Sequence, residues 1–454
     1  MKAAFIISEY NPFHNGHVYH IEITKKDLSP DAIVCVMSGN FTQRGSAAIV
    51  DKWCRAKMAL LSGADLVLEL HPVYATASAD IFAVGAVQTI NALGVSGWLS
   101  FGAESEKLPL LSALAEIIQN ETESFQERIA INLRKGYSFA KSRALAIADC
   151  YCSQSDKTEN SEDIARLLKL PNNILALEYM KSIKTTNAKI IPHAIKRTEN
   201  NYHDLFVTGS IASATAIRNT LNNPHSNNPK SSNLHSINPC SNNSHLDNLC
   251  SDNSINMELP EPVLNAMPES AAQQLLISLK DGKGPTTDSD YFIPLLTILR
   301  RMTPEQIRMF DDVSEGLENR ILAAAKNNVH DYESFLESIC SKRFPKSRIR
   351  RILTKILLGI DSVDTETLNL RSGPPYLRVL GFNDRGQKLL AYAKKETAKV
   401  PIVVKFANTK QLEDERAQRF AGLEAQTTDI YVTGYQNPLF RYGSQDYLTN
   451  VIRI

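Results

Sequence analysis

The residues with the clearest chemical use stand together near the start of the chain, in Glu9-Tyr-Asn-Pro-Phe-His14-Asn-Gly16-His17. His14 and His17 lie three apart, so both imidazoles can face one bound group. Imidazole donors aimed at the α-phosphate of a nucleotide stabilise the charge that develops as pyrophosphate leaves. These two histidines are the catalytic candidates. Gly16 lets a nucleotide approach the backbone closely. A helix beginning at His17 offers unpaired N–H groups and the positive end of its dipole to phosphate. An H-x-G-H string in a polar turn can equally be a helix cap. Its place directly behind the first apolar run, with Asn11-Pro12-Phe13 in front, favours nucleotide binding.

The elements around the motif set that place. Ala3–Ser8, Asp31–Met37, Asp65–Leu70 and Gly97–Phe101 are short apolar runs. Helical patterns near His17, at Asp51–Gly63 and at Ala79–Leu93 separate them. Apolar strands alternating with helices of this length mean βαβ units and a parallel sheet covered on both faces. The expected fold class is therefore α/β, a Rossmann-like parallel sheet, and the histidine turn falls where such sheets bind ligands, at the carboxyl ends of their strands. Further helices are expected at Pro109–Asn120, Ser124–Leu133, Ser138–Ala148, from Asn172 behind Pro171, and near Ser213–Leu221, with a strand at Ala188–Lys196.

Residues 221–256 break this pattern. Of these 36 residues 11 are Asn and 8 are Ser, in a period of ten that repeats His225, His235 and His245 and also Cys240 and Cys250. The spacing matches no tight ligand pair of a zinc site, so the segment reads as a solvated, disordered insertion. From Pro260 a helical period dominates, with helices expected at Glu269–Lys280, Tyr291–Met302, Thr303–Asn327, Tyr332–Ser341 and Ser347–Ile360. Strands are expected at Pro401–Phe406 and Asp429–Thr433. The chain thus divides into 1–220, 221–256 and a mainly helical 257–454. Within the last, seven basic residues fall between Lys342 and Lys355 with no acid among them. Arg348, Arg351 and Lys355 share a helix face, which makes a basic stripe suited to nucleic-acid phosphates.

The strand, H-x-G-H turn and helix resemble the nucleotidyltransferase α/β-phosphodiesterase group, which includes phosphopantetheine and nicotinamide-mononucleotide adenylyltransferases. Ile211-Ala-Ser213-Ala-Thr215-Ala-Ile217-Arg218 resembles the segment with which that group binds the β- and γ-phosphates. Ser213 and Thr215 at a helix start can present hydroxyl and N–H donors there. Within the group, the chain is similar to the bacterial tRNA(Met) cytidine acetate ligases through the first motif, Val36-Met-Ser-Gly-Asn-Phe-Thr-Gln-Arg-Gly45, Ala79-Asp-Ile-Phe82, Phe101-Gly-Ala-Glu104, Pro171-Asn-Asn-Ile-Leu175 and Tyr202-His-Asp204. The resemblance implies a ligase that makes acetyl-adenylate from acetate and ATP. It then acetylates N4 of the wobble cytidine of elongator tRNA(Met). An activated acyl donor suits this amine, whose lone pair is delocalised into the ring.

The resemblance also implies an ATP site formed by Ile7, Ser8, Glu9, Tyr10, Asn11, Pro12, Phe13, His14, Asn15, Gly16, His17, Val18, Tyr19 and His20, together with Gly102, Asn172 and Arg197. Asn172 and Asn173 are not separated by sequence. For tRNA the candidates are Arg343, Lys346, Arg348, Arg351 and Lys355. Asn40, Gln43 and Arg44, just beyond the second strand, have no assigned role. No carboxylate cage for a metal is visible, and Mg²⁺ is expected to travel with ATP. A small-molecule adenylyltransferase shares both phosphate motifs and is the alternative; a tRNA-binding protein that only senses ATP is a third reading.

Composition narrows the rest. The 454 residues exceed what one core usually supports. Lys and Arg total 50 against 49 Asp and Glu, so a nucleic-acid partner must be held by a local patch. Seven cysteines, an odd number lying mostly in apolar segments, read as reduced thiols of a cytoplasmic protein. The first apolar run is too short for a signal peptide and no stretch is long enough to span a bilayer, so no membrane association is expected. No protein partner is evident.

Overall fold

The computed structural model describes residues 1–104, 108–120, 122–153, 160–196, 212–222, 258–327 and 329–454. Its sheet runs β5-β4-β1-β2-β3-β6-β7, with β8 paired to β6. These strands are β1 (Ala3–Ser8), β2 (Ala32–Ser38), β3 (Leu66–Leu70), β4 (Gly97–Ala103), β5 (Ile190–Lys196), β6 (Leu377–Phe382), β7 (Ile402–Val403) and β8 (Ile452–Arg453). The first five are mutually parallel, with β1 central between β2 and β4. Successive side chains alternate between two cores. Ala3, Phe5, Val34 and Val36 enter one, while Ala4, Ile6, Ile33 and Cys35 enter the other. Apolar residues are buried on both faces, which is why β1 and β2 read as unbroken apolar runs.

The helices Asn15–Leu28, Lys52–Leu61, Ala79–Leu93, Pro171–Thr185 and Ala214–Asn222 stand where sequence periodicity puts them. The C-terminal part departs from expectation in three places. Thr303–Asn327 is two helices, Pro304–Arg308 and Leu317–Lys326, because the chain turns through left-handed conformations at Asp312, Glu315 and Gly316. Asp429–Thr433 is no strand: it ends the helix Glu415–Val432, where burial of Thr427, Thr428, Tyr431 and Val432 overrides the strand preference of these residue types. An unexpected strand, β6, runs antiparallel to β3 and puts the C-terminal part into the same sheet. The Asn/Ser-rich repeat lies, apart from Leu221 and Asn222, outside the described residues.

Two contacts hold the C-terminal part in register. The first is a buried ionic cluster. Lys52 Nζ lies 2.8 Å from Glu69 Oε2 and 2.7 Å from Asp446 Oδ1, while Arg378 Nε lies 3.5 Å from Glu424. Tyr376 donates to Glu424 over 2.7 Å. Burial, reinforced by Glu69 and Asp446, pushes the Glu424 carboxyl well above the usual carboxylate range. Such clusters add little net stability, but separating their members is costly, so they select one arrangement. The second contact joins the loop after β2 to the helix Lys346–Leu358. Thr354 donates to the Gly45 carbonyl over 2.8 Å, and Gly45 has φ +70°, with the backbone nitrogen of Arg351 only 2.5 Å from where a Cβ would be.

Gly45→Ala is therefore expected to destabilise the protein by about 2 kcal/mol or more through strain and overpacking. A denaturation midpoint unchanged from wild type would contradict this packing.

His71 generates a pH dependence. Its Nδ1 accepts from Val73 N over 3.3 Å, and its Nε2 donates to the Phe420 carbonyl over 2.8 Å. Burial pulls its pKa from 6.5 down to about 3. The unfolded chain takes up this proton first, so the contribution is complete above 6.5. It is lost as pH falls from there toward about 3, at up to about 1.4 kcal/mol per pH unit. Stability should fall between pH 7.5 and pH 4.5 in denaturant titrations, with a shallower slope in His71→Gln. An identical slope in the variant would assign the loss to other groups.

Candidate active site

The turn after β1 is built from within. Tyr10 adopts a left-handed conformation, φ 47°, that sends its ring inward. That ring packs on Phe13 at 4.7 Å and edge-on to His17 at 4.8 Å between centroids. His14 is the N-cap of the helix Asn15–Leu28, and the two motif histidines cap that helix together. Nδ1 of His14 accepts from Gly16 N over 3.1 Å, and Nδ1 of His17 accepts from His14 N over 3.2 Å. The rings stack with centroids 3.7 Å apart. With both Nδ1 atoms acting as acceptors, each neutral imidazole carries its proton on Nε2. The pair is thereby set as two N–H donors. Helix capping and the orientation of the two motif imidazoles are the same contacts here.

Arg55, without solvent exposure, holds the floor of the turn. Its Nη1 donates to the carbonyls of Glu9 over 2.7 Å and Ser38 over 3.0 Å, its Nε to that of Val50 over 3.0 Å, and its Nη2 to that of Gly39. Burial lowers its pKa from the ordinary arginine value. The Glu9 carboxylate accepts from Gln43 N over 2.9 Å, tying the turn to the loop after β2. Asn11 Oδ1 accepts from Ile49 N over 2.8 Å. From the other side, Arg218 donates to the Asn11 carbonyl and, over 3.1 Å, to Thr215 Oγ1. That bond fastens the helix Ala214–Asn222, carrying the second motif, onto the first. Ser213 Oγ caps this helix by accepting from Ala216 N over 3.1 Å.

These segments enclose a cavity of about 750 Å³. Of the sequence-predicted positions, Ile7, Ser8, Glu9, Tyr10, Asn11, His14, Gly16, His17, Tyr19 and His20 line it, as do Gly102, Asn172, Ser213 and Thr215. Four do not. Phe13 and Val18 pack in the core behind, Pro12 is buried, and Asn15 donates to the Asn265 carbonyl over 3.0 Å. Arg197 lies outside the described residues. Asn172 and Asn173 are now separated. Asn172 lines the cavity and donates to Glu104 over 2.6 Å, whereas Asn173 is buried, with Oδ1 accepting from Glu104 N over 3.1 Å. Asn40 is also structural, accepting from Lys52 N over 2.9 Å, while Gln43 and Arg44 reach the cavity.

The basic run looks different in three dimensions. Arg343 pairs with Glu315, Lys346 with Glu333 at 2.5 Å, and Arg348 donates to the Asp312 carbonyl over 2.6 Å. Lys355 is buried against Asp311 at 2.6 Å and is not part of a solvent-facing stripe. The acids come from residues 311–337, so inspection of the run itself could not find them. Arg351 was expected among the RNA contacts, yet with Ser347 it lines the nucleotide-sized cavity. Among the described residues, Glu69, Glu424 and Asp446 are close enough together to hold a cation, but the Lys52 ammonium already takes that place. No helix among the described residues is long and apolar enough to cross a membrane.

Residues 1–446 match the HIGH Nucleotidyl Transferase family. The tRNA(Met) cytidine acetate ligase of Acetivibrio thermocellus is 39% identical over 452 residues, covering all of both chains. That of Alkaliphilus metalliredigens is 36% identical, covering 99% of this chain and 98% of the relative. Among solved structures, Thermotoga maritima TmcAL bound with alpha-thio ATP superposes with a TM-score of 0.85 at 30% identity over the whole of both chains. Its apo form superposes with a TM-score of 0.87 at 31% identity, again over both whole chains. With the histidine turn and a full-length match in sequence and fold, the chain belongs to the tRNA(Met) cytidine acetate ligase family of HIGH nucleotidyl transferases and is a ligase.

Proposed function

We propose that this chain activates acetate with ATP and acetylates N4 of the wobble cytidine of elongator tRNA(Met). The observation that carries the reading is the mutually capped His14–His17 pair at a helix N-terminus, joined by Arg218 to the second phosphate-binding helix. An acetate oxygen attacks the α-phosphorus of ATP and pyrophosphate leaves, giving acetyl-adenylate. The Nε2–H donors of His14 and His17, with the helix N-terminus behind them, stabilise the charge that builds on the phosphate oxygens. The helix starting at Ser213 and Thr215 holds the β- and γ-phosphates. Cytidine N4 then attacks the acetyl carbonyl, AMP leaves, and the nitrogen gives up a proton.

ATP binding is supported by the fourteen expected positions that line one cavity and by the relative crystallised with alpha-thio ATP. Mg²⁺ would travel with the phosphates of ATP. Residues 1–220 supply nucleotidyl transfer and residues 257–454 meet the tRNA, with Arg343, Lys346 and Arg348 as its phosphate contacts. An anticodon-loop base can enter a pocket without opening a duplex. The cytoplasm, where unmodified tRNA and ATP occur together, is the expected compartment.

Pyrophosphate release by the pure protein should require acetate and rise with unmodified elongator tRNA(Met), leaving N4-acetylcytidine. His14→Asn and His17→Asn keep a capping side chain and should lower kcat about 10²- to 10³-fold with tRNA affinity unchanged. Release driven by a phosphorylated metabolite, indifferent to acetate and tRNA, would instead establish a small-molecule adenylyltransferase. Equal loss of tRNA binding in the histidine variants would remove their assigned role.

A further inference from the structure

The sheet order divides the cavity into two sides. Gly102 of β4 and Asn172 belong to the side of β4 and β5, whereas Gln43 and Arg44 follow β2, and Ala79 and Phe82 follow β3. Arg351 joins the second side from the C-terminal half. Its backbone abuts Gly45, and its charge feels Asp312 and also Asp80, the neighbour of Ala79. The guanidinium is poorly compensated. Its side chain is only 15% exposed, Asp312 stands 3.9 Å away, beyond hydrogen-bond range, and Nε has no hydrogen-bond partner. Burial accordingly draws its pKa below the ordinary value.

We infer that Arg351 is the receptor for the substrate carboxylate, holding a short-chain acid beside the histidine turn with Ala79 and Phe82 against its alkyl end. A planar guanidinium with unused donors matches a carboxylate in two parallel hydrogen bonds. The first turn and the helix at Ser213 already provide for the nucleotide phosphates. Enclosure argues against an RNA phosphate as the ligand, since Arg343 in the same basic run is 68% exposed and Arg351 is not. Ala79 and Phe82, apolar residues lining the same cavity, favour an acid with a small hydrocarbon end over an inorganic anion. This inference rests on the ligase reading and adds the residue that selects its acyl substrate.

The test uses full-length Arg351→Gln and Arg351→Lys, titrating acetate at saturating ATP and tRNA and following pyrophosphate. Losing the paired charged hydrogen bonds should raise the acetate KM about 10- to 100-fold in Arg351→Gln. Arg351→Lys, with charge but no fork, should fall between, and the KM for ATP and the salt dependence of tRNA binding should not change. Where turnover is too slow to measure, the thermal shift that acetate produces in the presence of a non-reacting ATP analogue gives the same comparison and should vanish in Arg351→Gln. An unchanged acetate KM overturns the inference, whether the variants lose ATP affinity, lose tRNA affinity or behave as wild type. Wild-type protein that releases pyrophosphate without regard to acetate would instead sink the ligase reading itself.

Discussion

Arg55 is a desolvated cation whose hydrogen bonds go to main-chain carbonyls: those of Glu9, Ser38, Gly39 and Val50. A carbonyl carries only a partial charge, so one guanidinium can gather several and needs them all. Without it, the buried carbonyls of Ser38, Gly39 and Val50 would lose a partner, and that of Glu9, at the cavity edge, would lose its tie to them. The four come from the turn after β1, the end of β2 and the loop before the arginine's own helix. Their separation is therefore dictated by the size of one side chain. The histidine turn and the loop bearing Gln43 and Arg44 face each other at that spacing, and the cavity between them inherits it. Chemistry at the first strand thus depends on a residue placed after the second.

The same logic extends to the C-terminal half. β6 completes the sheet beside β3, and the Lys52–Glu69–Asp446 contacts cross from one half to the other in the dry interior. Charge pairing of this kind is a poor source of net stability and a strong selector of register. The helix Lys346–Leu358, seated on Gly45, is consequently fixed relative to the histidines, and Ser347 and Arg351 can close the cavity. The nucleotide-sized space is a joint product of both halves.

What the sequence made legible was local. The apolar runs, the helical periods and the H-x-G-H turn each carry their signal within a few residues, and the first half of the fold follows from them. What escaped was long-range. β6 is a short apolar segment whose partner lies some three hundred residues earlier. Asp429–Thr433 has strand-like residue types but is held as helix by burial against a core no local window contains. The basic run appeared uncompensated because Asp311, Glu315 and Glu333, which pair with Lys355, Arg343 and Lys346, lie upstream of it. Asn172 and Asn173 differ in role only because one faces the cavity and its neighbour the interior.

The reciprocal capping of the motif histidines also restricts what they can do with protons. Each Nδ1 lone pair is committed to a backbone N–H, and each Nε2 already bears hydrogen in the neutral ring. Neither imidazole has a vacant lone pair to take a proton from an incoming amine unless the helix cap opens first. As bonded here, the pair can donate hydrogen bonds but is not placed to accept a proton. In an acyl transfer at this site, the proton given up by the nucleophile must go to the departing nucleotide's phosphate, to solvent or to another side chain.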